Sequence, residues 1–526
     1  MKRNNKIYMR ITILLLTIYI GLLIILCVSE NADNTATIRS FSDAFWYSLV
    51  TLTTVGYGDL TPVTPLGHAV GAVFLLLSAG IMMTLFGAVI SFVTSEGLPF
   101  FLLGFQRRKN WYYFADYGIE SSTLAKNICK EDPDAIIIFG EKKNDQMEFP
   151  DYPCLFISSS PAKIVAHKKN TGGRCKIFLM KENDIGVNIH AANLHTLPVD
   201  VYARTTNGRD SLSGNIRFFH SYDCCARQYW RSKPLCSFEN TIVIIGFGNY
   251  GRCILERAIL TNIISIDQHV AYHIFGNARI FLAMHSHLHE TFSLNTESET
   301  MDSLIFHDDP WEMHPSLIQR ADRIIICTDD EPEGWNIFWR LNSYYKIRGH
   351  IHLRSSQEAP GISYFGANED IYTPNQIMRT TLNKAAIKIN ELFRQSVSYP
   401  TLNWEELDTI HRESKIAAAD HILMKIRILL KDETIITLTP DVITKAYKEY
   451  SENKKSEAMR DMYRRLDHSR WLRFYTFYNW SYGPVRDDFA RQHPMMCSYQ
   501  ELNAEQKRER DAAWELLIYL ATESFS

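Results

Sequence analysis

Two long apolar segments with a short glycine-bearing loop between them constrain this chain more than any other feature of its sequence. The first segment runs from Arg10 to Val28 and carries no charge after Arg10, and the second runs from Gly67 to Thr94. Each segment is long enough to cross the roughly 30 Å hydrocarbon core of a bilayer as a helix. Basic residues precede the first segment and follow the second, which predicts two membrane spans with both termini in the cytoplasm. A cleaved signal peptide is the competing interpretation of the first segment, but no small-residue cleavage site follows it.

The loop between these segments has the chemistry of an ion-coordinating backbone. The stretch from Phe41 to Thr53 is apolar and aromatic but too short to span, so we expect a re-entrant helix there. A dehydrated K+ ion needs rings of oxygen atoms in place of its water shell. The two glycines that follow allow successive carbonyl groups to point the same way. The predicted selectivity filter consists of Thr54, Val55, Gly56, Tyr57 and Gly58, with K+ bound at Thr54, Val55, Gly56 and Tyr57.

The heptapeptide from Thr53 to Asp59 resembles the signature of potassium channels. As in that family, it follows a short helix and lies between two predicted spans. The resemblance implies a homotetramer, because one such loop cannot surround an ion. It also implies K+ as the permeant ion, contact with membrane lipid, and a location in the bacterial inner membrane.

Composition and pattern limit the rest of the chain to α/β and helical domains. The sequence has 56 Lys and Arg against 59 Asp and Glu, a net charge of −3, which argues against nucleic-acid binding. Its 10 cysteines are scattered, which suits a reducing compartment. Short apolar strands alternate with helical stretches after residue 105, which predicts Rossmann-like domains in tandem with parallel sheets. The predicted domains are a membrane α-helical pore domain at 1–105, Rossmann-like domains at 106–235 and 236–395, a helical linker at 396–458, and a mainly α-helical ligand-sensing domain at 459–526.

Two turns occupy the place where a Rossmann-like fold binds a dinucleotide. The second turn follows the apolar strand Asn240 to Ile245 and has the full G-x-G-x-x-G pattern. In the first turn, residues 116–121, only Gly118 of that pattern survives. Gly276 stands where the second copy needs an acidic residue for the ribose, so a purely structural turn is the alternative. The candidate residues for NAD(H) or another nucleotide are Gly246, Phe247, Gly248, Asn249, Tyr250 and Gly251.

Two tandem Rossmann-like units behind a two-span pore resemble the regulator of K+ conductance (RCK) domains, over about residues 110–393. The resemblance implies a gating ring below the pore, built from two units per subunit. It also implies regulation by ions or nucleotides at acidic or glycine-rich edges. The acidic runs at 308–309 and 329–331 follow strands, and we interpret them as solvated loops because neither has EF-hand spacing.

The C-terminal segment changes to helical, polar and aromatic sequence from Trp404 on. Residues 459–513 resemble the ryanodine-receptor (RyR) repeat domain through the runs Leu466 to Trp471 and Trp480 to Asp488, with Asn479 where that family usually has glycine. Aromatic rings can stack on a base, and arginines can bind phosphate. The alternative is that the tryptophans are core residues and the arginines pair with aspartates. The candidate ligand-binding residues are Arg470, Trp471, Trp480, Tyr482, Arg486 and Lys507.

Together these features predict a ligand-gated potassium channel that responds to a small-molecule, nucleotide-type ligand. No Ser-His-Asp or paired-carboxylate pattern stands out, so we expect no enzyme activity. The alternatives are a membrane-tethered NAD-dependent oxidoreductase, which leaves the filter motif unexplained, and a ligand sensor whose pore does not conduct. The sequence leaves open which ligand binds and whether it opens or closes the pore.

Overall fold

The computed structural model describes residues 17–94, 97–141, 150–168, 172–181, 184–205, 212–213, 215–288 and 302–523. The chain divides into two compact units, Met1–Phe105 and Gln106–Ser526. The start of the first predicted span, residues 10–16, lies outside the described residues.

The first unit consists of helices joined by short loops. Its helices are α1 (residues 17–30), α2 (Phe41–Leu52), α3 (Pro65–Thr94) and α4 (Gly97–Phe105). A capping box begins α2, because the side chains of Ser40 and Asp43 each accept a hydrogen bond from the other's backbone amide. The predicted short helix before the glycine-bearing loop is therefore present. Among the described residues, no helix combines the length and the apolar character that crossing a membrane requires.

A buried acidic side chain joins the end of α1 to the segment before α3. Glu30 is fully buried, and its carboxylate accepts hydrogen bonds from the backbone amides of Val63 and Thr64 at 2.9 and 3.0 Å. The Thr64 hydroxyl donates to the same carboxylate at 2.6 Å. These bonds fix the chain that leaves the loop, while apolar side chains of α1, α2 and α3 pack below it. That small core contains Leu23, Leu26, Ile38, Ala44, Val70 and Phe74.

The second unit begins with a mainly parallel sheet. Its described strands are β1 (Trp111–Phe114), β2 (Ile136–Phe139), β3 (Cys154–Phe156), β4 (Cys175–Leu179), β5 (Asp200–Thr205), β6 (Leu212–Ser213) and β7 (Ile216–His220). The helices beside them are α5 (Ile119–Glu131), α6 (Pro161–Lys168), α7 (Asp184–Leu194) and α8 (Ser221–Ser232). The strand order is β3-β2-β1-β4-β5-β7-β6, and only the β6–β7 pair is antiparallel. This order is that of a doubly wound Rossmann-like sheet, as predicted.

A second sheet repeats this arrangement. Its described strands are β8 (Thr241–Ile245), β9 (Ala271–Phe275), β10 (Ser303–His307), β11 (Arg323–Ile326), β12 (His350–Arg354) and β13 (Tyr364–Phe365). Its helices are α9 (Asn249–Thr261), α10 (Arg279–Met284), α11 (Pro315–Arg320), α12 (Glu331–Tyr344), α13 (Asn368–Ile371) and α14 (Pro374–Met378). The order is β10-β9-β8-β11-β12-β13 with parallel pairing throughout. The strand order reverses between β8 and β11, where such folds bind ligands.

Helices dominate the rest of the second unit, as the sequence predicts. They are α15 (Thr380–Ser396), α16 (Thr409–Asp420), α17 (Ile422–Leu430), α18 (Pro440–Asn453), α19 (Glu457–Phe477), α20 (Ala504–Arg508) and α21 (Ala512–Glu523). The short strands β14 (Ser481–Tyr482) and β15 (Gln492–His493) pair with each other after α19. Single 3₁₀ turns occur at Trp404–Glu406, Tyr499–Glu501 and Glu509–Asp511.

A buried ion network connects the two sheets with the helical part. Asp223 on α8 binds Arg257 of α9 through both carboxylate oxygens and Arg379 at 3.1 Å. Asp420, the last residue of α16, binds Arg227 at 2.7 Å and lies 3.4 Å from Arg257. Burial raises the pKa of Asp223, but the neighbouring arginines outweigh that effect and lower the pKa to about 2. Asp223 therefore stays charged at neutral pH.

Candidate functional site

The loop predicted to be a filter has an alternating backbone conformation. Thr54, Gly56 and Gly58 have φ angles of 61°, 63° and 75°, whereas Val55 and Tyr57 between them do not have positive φ. Glycine adopts positive φ without steric cost, which explains the two glycines at this spacing. The sequence did not indicate that Thr54 shares this conformation. Alternation in the sign of φ is the arrangement that a column of carbonyl oxygens along one side of a loop requires.

Side chains from α2 support this loop. The Trp46 indole nitrogen donates a hydrogen bond to the Asp59 carboxylate at 2.9 Å. The Trp46 ring also stacks on Tyr57, with ring centroids 6.2 Å apart and an angle of 3° between the planes. The backbone amide of Val55 donates to the carbonyl of Val50 at 3.0 Å. The loop is therefore anchored at its start by the end of α2 and at its end by an aromatic side chain.

The glycine turn of the second sheet has the predicted shape, but its donors are occupied. Gly246 has φ of 94°, and the turn leads from β8 into α9. The backbone amides of Asn249 and Tyr250 donate to the two carboxylate oxygens of Asp329, at 2.9 and 3.2 Å. These are the amides that would bind a phosphate at the helix N-terminus. A Cβ on Gly248 would lie 2.4 Å from an Asp329 oxygen, so this carboxylate already fills the space beside the turn.

The corresponding turn of the first sheet is held by hydrogen bonds that its own side chains accept. Gly118 has φ of −149°, an extended conformation open to any residue, and its amide donates to the Ser121 hydroxyl at 2.8 Å. The carboxylate of Asp116 is buried and accepts the backbone amide of Met180 at 3.1 Å. Burial raises the pKa of Asp116 above its usual range. In the first turn the amide of Gly118, and in the second the amides of Asn249 and Tyr250, therefore already have side-chain acceptors.

A cavity of about 290 Å³ lies in the helical part of the second unit. It is enclosed by α15, α16, α19 and the 3₁₀ turn Glu509–Asp511. Three of the six residues that the sequence predicts for ligand binding line this cavity: Arg470, Trp471 and Arg486. Its wall has mixed charge and several aromatic rings: the cations are Lys415, Arg470, Arg486 and Arg510, and the carboxylates are Glu406, Asp408, Asp467, Asp488 and Glu509.

Two arginines of the cavity have acidic partners and spare donors. Arg470 binds Asp467 at 2.9 Å, and Arg510 lies 3.2 Å from Glu509. However, Nη1 of Arg470 and Nε of Arg510 are buried and make no hydrogen bond within the described part of the chain. Unpaired buried donors are costly, so an acceptor inside the cavity would be stabilised by them.

Lys415 of α16 is the central cation of the cavity, and sequence reasoning missed it. Within the part of the chain that the structure describes, no carboxylate lies within ion-pair distance of its Nζ, which lies 3.7 Å from the ring centroid of Phe393. Burial, together with the nearby charges of Arg510 and Arg470, lowers the pKa of Lys415 to about 7. An anion in the cavity would reverse this shift. The only sequence signal was its position in the polar helix upstream of the RyR-like segment.

Arg486 extends the cationic surface toward solvent. Its guanidinium binds Asp488 at 2.7 Å and lies 2.7 Å from Nε2 of His411, and its side chain is 47% exposed. An exposed ion pair exchanges partners at low cost. Arg486 can therefore turn from Asp488 to a ligand that carries charge at the mouth of the cavity.

The other three predicted ligand residues lie elsewhere. Trp480 is 2% exposed and packs edge-on against Tyr475, with ring centroids 5.2 Å apart, so it is a core residue. Tyr482 is exposed on β14, and the Lys507 ammonium lies 4.8 Å from the ring centroid of Tyr499. For Trp480 the core alternative holds, because it fills the space between α19 and β14.

Asn479 shows why the RyR-like segment tolerates its one departure from the glycine of that family. Its φ is 59°, the left-handed conformation that glycine and, among side-chain-bearing residues, asparagine adopt most readily. Its side-chain amide donates to the carbonyl of Met284 at 2.7 Å. The tight turn between α19 and β14 is therefore kept, and it gains a contact to the second sheet.

Two family models match this chain. Residues 12–95 match the model described as an ion channel, and residues 448–525 match the RyR domain. A voltage-gated potassium channel of Aeropyrum pernix is 40% identical over 75 residues, which is 14% of this chain and 25% of that protein. Probable potassium channel protein 2 of Methanocaldococcus jannaschii is 24% identical over 163 residues, 30% of this chain and 45% of that protein. The chain thus spans a quarter to less than half of the length of these relatives.

Among solved structures, the GsuK channel is similar over most of the chain. One structure of it covers 69% of this chain and 96% of its own, with a TM-score of 0.38 and 14% identity. A structure of GsuK bound to ADP has a TM-score of 0.36 and 15% identity, over 69% of this chain and 96% of that chain. Residues 12–95 thus match ion channels and residues 448–525 match RyR domains, and the curated relatives described above are potassium channels.

Proposed function

We propose that this chain is the subunit of a potassium channel in a membrane, and that an anionic ligand of mononucleotide size controls it from the helical cavity. Four copies supply four loops to one filter, at Thr54 to Gly58. K+ passes between the carbonyl oxygens of these loops. The alternating φ angles of the loop and the potassium-channel relatives support this part of the proposal.

The observation that carries the ligand proposal is the ammonium of Lys415, which lines the cavity beside Arg470 and Arg510 and has no carboxylate at ion-pair distance within the described part of the chain. Its lowered pKa shows that the surroundings disfavour the charged form. Arg470 and Arg510 add unpaired donors on the same cavity wall. One phosphate group would satisfy all three side chains together, by charge and by hydrogen bonds.

Size and lining indicate the rest of the ligand. The cavity volume of about 290 Å³ is at the lower end of the range for small-molecule sites, which suits one nucleotide and excludes a fully enclosed dinucleotide. The rings of Tyr399 and Tyr475 line it and offer apolar faces for a base. Arg486 at the mouth suits a second charge or a ribose hydroxyl.

The two candidate sites differ in the charge that an incoming anion would meet, and this difference favours the cavity over the glycine turn. At the turn, Asp329 places negative charge against the helix N-terminus, so an incoming phosphate must displace it. In the cavity, Arg470, Arg486 and Arg510 have acidic partners, but Lys415 has no carboxylate at ion-pair distance within the described residues. We therefore assign the nucleotide-type ligand to the cavity and a structural role to Gly246–Gly251.

The experiment measures K+ flux through the full chain in liposomes and ADP or AMP binding to it by calorimetry. We expect Lys415→Met to lower nucleotide affinity at least tenfold, about 1.4 kcal/mol, and to abolish the response of the flux. Lys507→Met is the matched control, because Lys507 lies over Tyr499 outside the cavity. This variant should bind the nucleotide with wild-type affinity. Equal nucleotide affinity in Lys415→Met and wild type would disprove the assignment of the ligand to the cavity.

The channel assignment is tested separately in the same liposomes. Gly56→Ala should abolish K+-selective flux, because alanine is strained at φ of 63° even though open space surrounds the position. Gly104→Ala is the control, since a Cβ there meets no atom within 4 Å and its φ is ordinary for a helix. Selective flux that survives Gly56→Ala would disprove the filter assignment and leave the cavity assignment standing.

A further inference from the structure

Two histidines and an aspartate converge at the edge of the second sheet. β10 is the edge strand and ends at His307, and the chain then turns through Asp309 to His314. The ligand atoms of these three side chains all lie within 4.8 Å of one another. They come from a segment of eight residues, so their proximity follows from the local fold of that segment.

This segment has a fixed conformation. Trp311 is 5% exposed and begins a single 3₁₀ turn, which ends when the backbone amide of His314 donates to the Trp311 carbonyl at 3.0 Å. The carbonyl of His314 then accepts the amide of Ile318 in α11 at 3.1 Å. The His314 backbone is therefore held from both sides, which fixes the position from which its ring reaches the cluster.

Two of the distances among the three side chains lie on either side of the spacing that a small tetrahedral ion requires. Nε2 of His314 lies 2.9 Å from one Asp309 oxygen, whereas Nδ1 of His307 lies 4.0 Å from the other. An ion pair accounts for the first contact, but the second is too long for a hydrogen bond. A tetrahedral ion with bonds of about 2.0–2.1 Å holds its ligand atoms roughly 3.3 Å apart, the middle of this range. Side-chain shifts of under about 1 Å would complete such a site.

A third histidine orients the ligand nitrogen of His307. Nδ1 of His273 on β9 lies 3.0 Å from Nε2 of His307, on the side of the ring away from Asp309. Phe275 stacks on the same ring, with centroids 4.3 Å apart and an angle of 10°. Histidines that bind metals are oriented in this way, by a hydrogen bond to the other ring nitrogen.

We propose that this cluster binds a divalent transition-metal ion of the zinc class through Nδ1 of His307, the Asp309 carboxylate and Nε2 of His314. Imidazole nitrogen is a poor ligand for Ca2+ and Mg2+, which take oxygen, and a good one for Zn2+ and Co2+. The fourth position faces solvent, because the Asp309 side chain is 50% exposed. Three protein ligands and an open position are typical of an exchangeable site, in contrast to a closed structural one.

Such an ion would act on the edge of the sheet that leads to the glycine turn. β10 pairs with β9, and the carbonyl of Phe275 at the end of β9 accepts the amide of Gly246 at 3.0 Å. An ion between β10 and α11 therefore links the edge strand to the start of α9 through two neighbouring strands. This site is separate from the cavity and independent of the ligand assigned there.

The test uses the full chain in detergent, freed of metal by a chelator, and titrated with Zn2+ against a chromophoric competitor and with Co2+ alone. Wild type should bind one ion more per chain than His314→Ala or Asp309→Asn does. Its Co2+ form should show the intense visible absorption of low coordination number. Asp308→Asn is the matched control, since Asp308 is an exposed neighbour outside the cluster.

His314→Cys separates loss of a ligand from loss of the fold. A thiolate binds zinc, so this variant should restore the ion and add a sulfur-to-cobalt absorption band. Equal stoichiometry in wild type, His314→Ala and Asp309→Asn would overturn the proposal, as would wild-type protein that binds neither ion. A Co2+ complex without visible intensity would also overturn it, because that indicates octahedral water and not this cluster.

Discussion

The glycine turn of the second sheet and the helical cavity both present groups that attract an anion, but they differ in whether all of those groups already have a partner. The turn has a complete sequence motif, and its helix N-terminal amides already bind the carboxylate of Asp329. The cavity has no motif of comparable length, and it leaves the ammonium of Lys415 without an acidic partner. A sequence motif therefore predicts the shape of the backbone. Whether that backbone can bind a ligand depends on whether its hydrogen-bond donors are still unpaired.

The largest effect is expected from removing the carboxylate of Asp467, which lines the cavity. Asp467→Asn leaves Arg470 and the fully buried Lys425 without their shared carboxylate, 2.9 and 3.6 Å away, which should cost about 3–5 kcal/mol of folding stability. Thermal unfolding of the full chain measures this loss. Glu452→Gln removes an exposed ion pair to Lys455 and should leave the unfolding midpoint unchanged. Similar midpoints for the two variants would show that the cavity cations need no buried counter-charge.

The next effect tests how tightly the turn is filled. Gly248→Ala places a Cβ 2.4 Å from Asp329 and should cost about 1–3 kcal/mol, because the carboxylate must leave the helix N-terminus. The corresponding Gly118→Ala in the first sheet meets nothing closer than 3.8 Å and should change stability by less than about 0.5 kcal/mol. Thermal unfolding of both variants measures these two changes in stability. A tolerated Gly248→Ala would mean that Asp329 does not fill the turn.

The pH dependence of binding distinguishes the cavity from the turn. The pKa of Lys415 is about 7 in the free protein, and a bound phosphate raises it, so binding above pH 7 takes up a proton. Nucleotide affinity should therefore fall from pH 7 to pH 9, by up to tenfold or about 1.4 kcal/mol per pH unit. Burial raises the pKa of the facing Asp467 carboxyl, but Arg470 and Lys425 outweigh that effect and lower it, so this group keeps its charge in this window. Calorimetry should find no such slope in Lys415→Met, and a flat wild-type profile would contradict a role for Lys415.

The smallest effect concerns the carboxylate at the turn. Asp329→Asn removes a negative charge from the N-terminus of α9 and should cost about 1 kcal/mol of stability. The same change should let the turn bind ADP or pyrophosphate, because the amides of Asn249 and Tyr250 lose their ionic partner. Calorimetry in a Lys415→Met background isolates the turn from the cavity. Absence of any new binding there would show that the turn is structural even without its carboxylate.

Local patterns in the sequence predicted the sheets and the helices well. The apolar runs after Asn110 and Asn240 became strands β1 and β8 because their alternation with helices is a property of neighbouring residues. The cavity was predicted only in part. Arg470 and Trp471 lie within the RyR-like run Leu466 to Trp471, whereas Lys415 reaches the cavity from α16, a separate helix that ends at Asp420.

Two features of the sites depended on contacts that no local pattern encodes. Asp329 reaches the glycine turn because β8 and β11 are neighbours at the point where the strand order reverses, and only the folded sheet brings them together. Trp480 lies in the core because α19 and β14 meet there, although an aromatic residue beside arginines has the composition of a ligand site. Residue type alone does not distinguish the two situations.

Helix α16 carries Lys415 in the cavity and ends at Asp420 in the ion network between the two sheets. The two positions are five residues apart, about 7.5 Å along a rigid rod. If the ligand proposed for the cavity moves Lys415 along the axis of α16, Asp420 and its arginine partners on α8 and α9 are the contacts at the other end of the same helix. By thermodynamic reciprocity, a rearrangement of those contacts that changed the affinity of the cavity would in turn be favoured or opposed by the bound ligand with the same free energy.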